Sequence, residues 1–272
     1  MVVQHNMQAV NTNRMLGTNV KAVAKATEKL SSGYAVNRAA DDAAGLSISE
    51  KMRNQIRGIN QAVKNSEDGV SLIQTAEGNM NEIHSILQRM GELATKAAND
   101  VNATEDRTAI ADEMTELREE INSIASKAAF NGTKLLTGSF TSKYLQVGAN
   151  SGENMKISIS VMTASGLGLT ADKIKVSTHA LASSTMTAIS DAIKSVSAAR
   201  SKLGAIQNRL DYTINNLNNY SENLTSAESQ IRDTDMASEM TNYTKNNILQ
   251  QAAQSMLAQA NQSTQGVLSL LG

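Results

Sequence analysis

A chain of 272 residues with no proline, no cysteine and only five Tyr and two Phe has little means of building a compact core around large rings. Its formal charge of -1 marks out no surface for nucleic acid or an anionic membrane, and the lack of cysteine removes disulfides and thiolate metal sites together. Packing falls to Ala, Ser, Thr, Leu, Ile and Met, as in bundles and coiled coils, and no proline ring interrupts a long helix.

From the N-terminus, Leu16, Val20, Val23, Thr27 and Leu30 follow 4-3-4-3 spacing, which predicts a helix through about Leu30. Its apolar stripe is thin, so this end is expected to need a partner in order to fold. The first twenty residues include Gln4, His5, Asn6, Asn11, Asn13 and Arg14, and no run of about 18 apolar residues occurs. Neither a general secretory signal nor membrane insertion is expected. Gly33 ends the first helix, and Asp41-Asp42 suits the positive end of a second one.

That second helix carries two stripes. Met52, Ile56, Ile59, Val63, Val70, Ile73, Met80 and Leu87 share one heptad frame, while Leu72, Ala76, Ile83, Ile86, Met90 and Leu93 form another beside it. Asn102 and Glu105 resemble a capping box opening an antiparallel helix, with Ile110, Met114, Leu117, Ile121, Ile124 and Ala128 on its seam. Phe130-Asn131-Gly132 reads as a glycine-type helix end.

The period then changes from seven to two. Leu145 and Val147, followed by Ile157, Ile159 and Val161, predict a β-hairpin over about 143–161. The stretch from there to about Met186, rich in Ser, Thr, Ala and Gly, is expected to be the least structured. Ile189, Val196, Leu203, Leu210, Leu217, Leu224 and Ile231 recur every seven residues, a long helical seam. A polar break at Arg232-Asp233-Thr234-Asp235 precedes a last helix with Leu249, Ala253, Met256, Ala260, Ser263, Val267 and Leu270 in 4-3 spacing.

The fold class is therefore mainly α: long antiparallel helices and coiled coils in a rod-like bundle, with a small β-hairpin region near the tip. The order is palindromic, running weak helix, strong helices, β tip, strong helix, weak helix. The two weak ends are expected to pair with each other.

No catalytic constellation stands out. His5, His84 and His179 lack metal-ligand spacing, Asp41, Asp42 and Glu50 have no nucleophile beside them, and Gly148-Ala-Asn-Ser-Gly152 lacks the lysine of a phosphate loop. The thirteen Met fall mostly on heptad stripes and read as core filler rather than ligands. No enzyme activity, cofactor or metal site is expected.

Several stretches resemble bacterial flagellin. In the N-terminal half these are Leu30-Ser-Ser-Gly33, Asn37-Arg38, Asp41-Asp42-Ala-Ala-Gly-Leu46, and Asn65 through Gly69 followed by Ile73-Gln-Thr-Ala-Glu77. In the C-terminal half they are Leu203-Gly-Ala-Ile-Gln-Asn-Arg-Leu210, Asn215-Asn-Leu-Asn-Asn219, Ser229-Gln-Ile-Arg-Asp233, and Gln259-Ala-Asn-Gln262 through Val267-Leu-Ser-Leu-Leu271. The resemblance covers nearly the whole chain, and Val161 to Met186 leaves no room for an inserted outer domain, so it points to a short, minimal flagellin.

That resemblance implies a secreted subunit that polymerises helically into the flagellar filament, with residues 1–41 and 233–272 as the two parts of an inner coiled-coil domain lining the filament channel and 42–232 as a helical rod. Leu16, Val20, Val23, Leu30, Leu249, Met256, Val267 and Leu270 are the implied polymerisation residues. It also implies passage through the flagellar type III export apparatus, a flagellin-specific chaperone, and neighbours in the filament cap and hook-junction proteins. Gln88, Arg89, Glu92 and Leu93, with Glu113 on the next helix, resemble the family's patch for the host flagellin-sensing Toll-like receptor. A hook-filament junction protein and a secreted coiled-coil adaptor are the alternatives.

Overall fold

The computed structural model describes residues 6–271, with side chains through residue 263. Five helices are present among them: α1 (Met7–Ser32), α2 (Ala43–Ala97), α3 (Thr104–Lys127), α4 (His179–Arg232) and α5 (Met236–Leu271). Between α3 and α4 lie two antiparallel strand pairs, β1 (Ala129–Phe130) with β2 (Thr133–Lys134), and β3 (Lys143–Gln146) with β4 (Asn154–Ile157). Internal contacts divide the chain into two units. One holds residues up to Gln55 and from Glu222 onward, and the other Ile56–Ser221, so the division falls inside both α2 and α4.

The second unit contains most of the core. Ile73, Met80, Leu87, Ala76, Ile83, Met90 and Leu93, drawn from both predicted stripes of α2, are buried together with Ile110, Met114 and Ile121 of α3. From α4 come Ile189, Val196, Leu203 and Leu210. Glu77 pairs with Arg200 at 3.4 Å and Asn60 accepts from Ser221 at 3.1 Å, so position numbers fall on α2 as they rise on α4, the signature of antiparallel neighbours. The seam of α4 is covered only through Leu210. Ile214 and Leu217 are half-buried.

Two sequence expectations shift at the ends of α3. Asn102 does not cap α3: its amide donates to the carbonyl of Lys96, while the Asp106 carboxylate accepts from the N–H of Ala103 at 3.3 Å. The reciprocal half is missing because Ala103 has no acceptor. Asn131-Gly132 does not cap the preceding helix either. The helix stops at Lys127, and Asn131 and Gly132, at φ 46° and 76°, form the turn between β1 and β2. Two consecutive positive φ values are what a two-residue hairpin turn requires.

The longer hairpin pairs Lys143 with Ile157 and Gln146 with Asn154, and its ladder ends before the predicted Val161. Ile159 and Met162 are both buried, three residues apart, so the alternation breaks there, although their N–H groups still bond Phe140 and Leu136. The Ser/Thr/Gly stretch beyond is better ordered than its composition suggests. Ala164, Leu167, Leu169 and Val176 enter the core, and α4 begins at His179 rather than after Met186. Spaced at 3, 2 and 7, these residues match no regular period, so periodicity alone could not find them.

Candidate functional site

In the first unit, α1 and α5 pack against each other, and among the described residues their fully buried apolar side chains are small. Ala26 of α1 and Ala260 of α5 are buried. The start of α1 is stapled by Asn6, whose side-chain oxygen accepts from the N–H of Ala9 at 3.0 Å and whose amide donates to the carbonyl of Ala260 at 2.9 Å. One side chain thus caps a helix and fixes its partner.

The other ends of these helices are clamped by backbone. Gly33, at φ 74°, closes α1 by donating to Lys29, and its own carbonyl accepts from Thr234 at 2.9 Å. Ala35 donates to Arg232 at 2.7 Å, and the Arg232 guanidinium lies 4.6 Å from the centre of the Tyr34 ring, a cation–π contact. Asp235 opens α5 by accepting from the N–H groups of Ala237 and Ser238.

In contrast to these fixed ends, the apolar side chains of the pair are largely uncovered. Val20 and Leu249 are 43% and 42% exposed, and Leu16, Val23 and Leu30 are half-buried. The side chains of Val267 and Leu270 lie outside the described residues. Periodicity did not single out Met7, Val10, Met15 and Ile248, which are exposed too. They add to the uncovered apolar area of a helix pair in which only Ala26 and Ala260 are fully buried among the described residues. Such a surface is an unfinished core, and what completes it must come from elsewhere.

The connection from α1 to α2 is held by charge. Asp41 lies 2.8 Å from Lys25 and accepts from the N–H groups of Asn37 and Arg38. The Lys25 hydrogen bond, followed by the bond from Arg38, lowers the Asp41 carboxyl from 3.8 to about 2. Asp42 then caps α2, accepting from Ala44 and Gly45 at 3.0 and 2.9 Å.

The second set of sequence-derived site residues lies in the other unit. Arg89 is exposed and donates to Glu113 at 2.9 and 3.1 Å and to Glu92 at 3.3 Å. Those bonds raise the Arg89 pKa, Glu113 first among the causes. Arg89, Glu92 and Glu113 border a groove of about 450 Å³, and Gln88 is exposed beside His84, 3.2 Å away. Unlike the exposed Gln88, Arg89, Glu92 and Glu113, Leu93 offers almost no surface of its own. It is 4% exposed and packed into the core, so it forms part of the groove floor.

Residues 3–141 match the family model of the bacterial flagellin N-terminal helical region, and residues 186–271 that of the bacterial flagellin C-terminal helical region. A flagellin of Halalkalibacterium halodurans is 52% identical over 271 residues, covering all of both chains. The chain belongs to the bacterial flagellins.

Another flagellar protein, the flagellar filament 30.7 kDa core protein of Treponema maltophilum, is 45% identical over 284 residues, again across both whole chains. The crystal structure of Bacillus cereus flagellin superposes with a TM-score of 0.50 at 30% identity, covering 57% of this chain and 88% of that one. The two family models fall on the two halves of this flagellin, α1 to β2 on one side and nearly all of α4 and α5 on the other.

Proposed function

We infer that this flagellin is a structural subunit that is secreted and polymerises helically into the filament of the bacterial flagellum. The observation that carries the reading is the α1–α5 pair, in which only Ala26 and Ala260 are fully buried among the described residues while Met7, Val10, Met15, Val20, Ile248, Leu249 and Met256 stay exposed. Neighbouring subunits that cover those side chains supply the missing core, and ordering of the ends is thereby linked to assembly. Residues 1–41 and 233–272 form the assembling coiled-coil domain and 42–232 the rod. No catalytic step belongs to this reading.

The uncovered helices also account for the handling such a subunit needs before it assembles. A chain with this surface associates wrongly unless it is held apart, which is the role of a flagellin-specific chaperone. The flagellar export apparatus then delivers it, and filament cap and hook-junction proteins bound the polymer. Purified subunit incubated with short filament seeds should extend them into long filaments seen by electron microscopy. Discrete small oligomers would favour the secreted-adaptor alternative instead. A tagged copy confined to the hook-filament junction would favour the junction protein.

A second reading concerns the groove beside Arg89. Its exposed guanidinium, flanked by Gln88, Glu92 and Glu113, suits charge-assisted recognition by the flagellin-sensing Toll-like receptor. Arg89→Ala should lower monomer-driven receptor signalling about tenfold, the usual consequence of losing a bidentate charged contact of 1.4 kcal/mol or more. An unchanged response with an intact fold would remove Arg89 from the site.

A further inference from the structure

Apart from the half-buried Met52, the methionines among the described residues divide by environment. In the unit built from Ile56–Ser221, Met80, Met90, Met114, Met155 and Met162 are all 6% exposed or less. These are core filler, as their heptad spacing suggests. In the other unit Met7 is 71% exposed, Met15 53%, Met236 48%, Met240 50% and Met256 61%. Met186, at 36%, is the one exposed methionine outside that unit among the described residues.

Position compounds exposure. All five lie on the paired helices α1 and α5, on the surface argued above to be covered by assembly. Met236 and Met240 are one turn apart on α5 and share a face. Met256 lines a groove on the helix pair together with Gln8, Asn11 and Thr12 of α1. With no cysteine in the chain, no thiol competes for an oxidant, and the exposed thioethers are its readily oxidised sulfur atoms.

We propose that Met7, Met15, Met236, Met240 and Met256 are an oxidation site: hydrogen peroxide converts them to sulfoxides in the free subunit, and a subunit so modified no longer adds to a filament. In each event the sulfur gives up two electrons and gains one oxygen atom. The peroxide O–O bond breaks, and the second oxygen leaves as water. The product side chain is polar and carries a strong acceptor, so covering it by a neighbour strands an unpaired oxygen where the thioether needed no partner. Once assembled, the same sulfurs are shielded, and the filament resists a dose that inactivates the free subunit.

This proposal rests on the assembly reading, and the test separates the two. Purified subunit is treated with hydrogen peroxide, mapped by peptide mass spectrometry, and scored for elongation on untreated seeds. A variant carrying Leu at all five positions, which keeps volume and apolarity but cannot be oxidised, is treated in parallel. The five sites should oxidise at least about tenfold faster than Met80, Met90 and Met114, and elongation should fall at least about tenfold. Methionine sulfoxide reductase should restore it, and the treated five-Leu variant should elongate as before treatment.

Equal oxidation of exposed and buried sites would overturn the site. So would native elongation by fully oxidised subunit, failure of the reductase to restore elongation, or equal loss in the five-Leu variant. Untreated wild-type subunit that fails to elongate would overturn the assembly reading itself, and the assembly step of the proposal with it.

Discussion

Asp41 closes the loop between α1 and α2 by pairing with Lys25 at 2.8 Å and accepting two backbone N–H groups, and these bonds require it to be ionised. Its carboxyl is lowered from 3.8 to about 2, so the ordered form holds its proton less tightly than the unfolded form does. The stability this supplies is present above the unfolded value and is lost as pH falls through the window between 3.8 and about 2. If assembly is what orders this unit, assembly inherits the dependence. The critical concentration for seeded growth should therefore rise on acidification across that window. In Asp41→Asn, which cannot ionise, the part of the rise owed to this group should vanish and the critical concentration should already be raised at neutral pH. An identical pH profile for wild type and Asp41→Asn would show that the Lys25–Asp41 pair does not contribute to assembly.

At the scale of elements, legibility followed periodicity. Both stripes of α2, the seam of α3 and the first half of the α4 seam were visible because each buries one face at a fixed spacing, and Ile73, Met114 and Leu203 occupy that face. Leu167, Leu169 and Val176 were not visible, because an irregular segment buries residues wherever its path turns inward. Val20, Leu249 and Met256, all exposed, read as ordinary stripe residues, since a pattern shows which face is apolar and not whether anything covers it. The glycines of α2 show the same distinction. A Cβ added at Gly78 meets nothing within 4 Å, whereas at Gly58 it comes to 2.9 Å from the Ala149 Cβ and 3.3 Å from its Cα. Gly78→Ala should therefore stabilise the chain by about 1 kcal/mol through helix propensity alone. Gly58→Ala should cost about 1–3 kcal/mol, since the hairpin turn carrying Ala149 must shift. Urea denaturation of the two variants checks both signs, and stabilisation by Gly58→Ala would mean that the turn is not held against α2 in solution.

For the whole molecule, the contrast between the two units sets what each can do alone. Residues 56–221 contain nearly all of the large buried side chains among the described residues, from Ile59 on α2 to Leu210 on α4. Among the described residues of the first unit the fully buried apolar side chains are Ala26, Val36 and Ala260, which by themselves are too little to offset the backbone entropy of ordering two long helices. Removing residues 233–272 should therefore abolish elongation on seeds while the core of the second unit stays folded. In the full chain, amide exchange should be fast along α1 and α5 in the free subunit, since local opening is easiest where few apolar contacts resist it. The α2 segment from Ile73 to Leu93 should exchange slowly in the free subunit and the polymer alike. On polymerisation α1 and α5 should gain protection, because neighbouring subunits then supply the apolar contacts that the pair lacks by itself. Slow exchange throughout α1 and α5 in the free subunit would mean that the helix pair is already stable, and would transfer the cause of assembly from folding of the ends to docking of a finished surface.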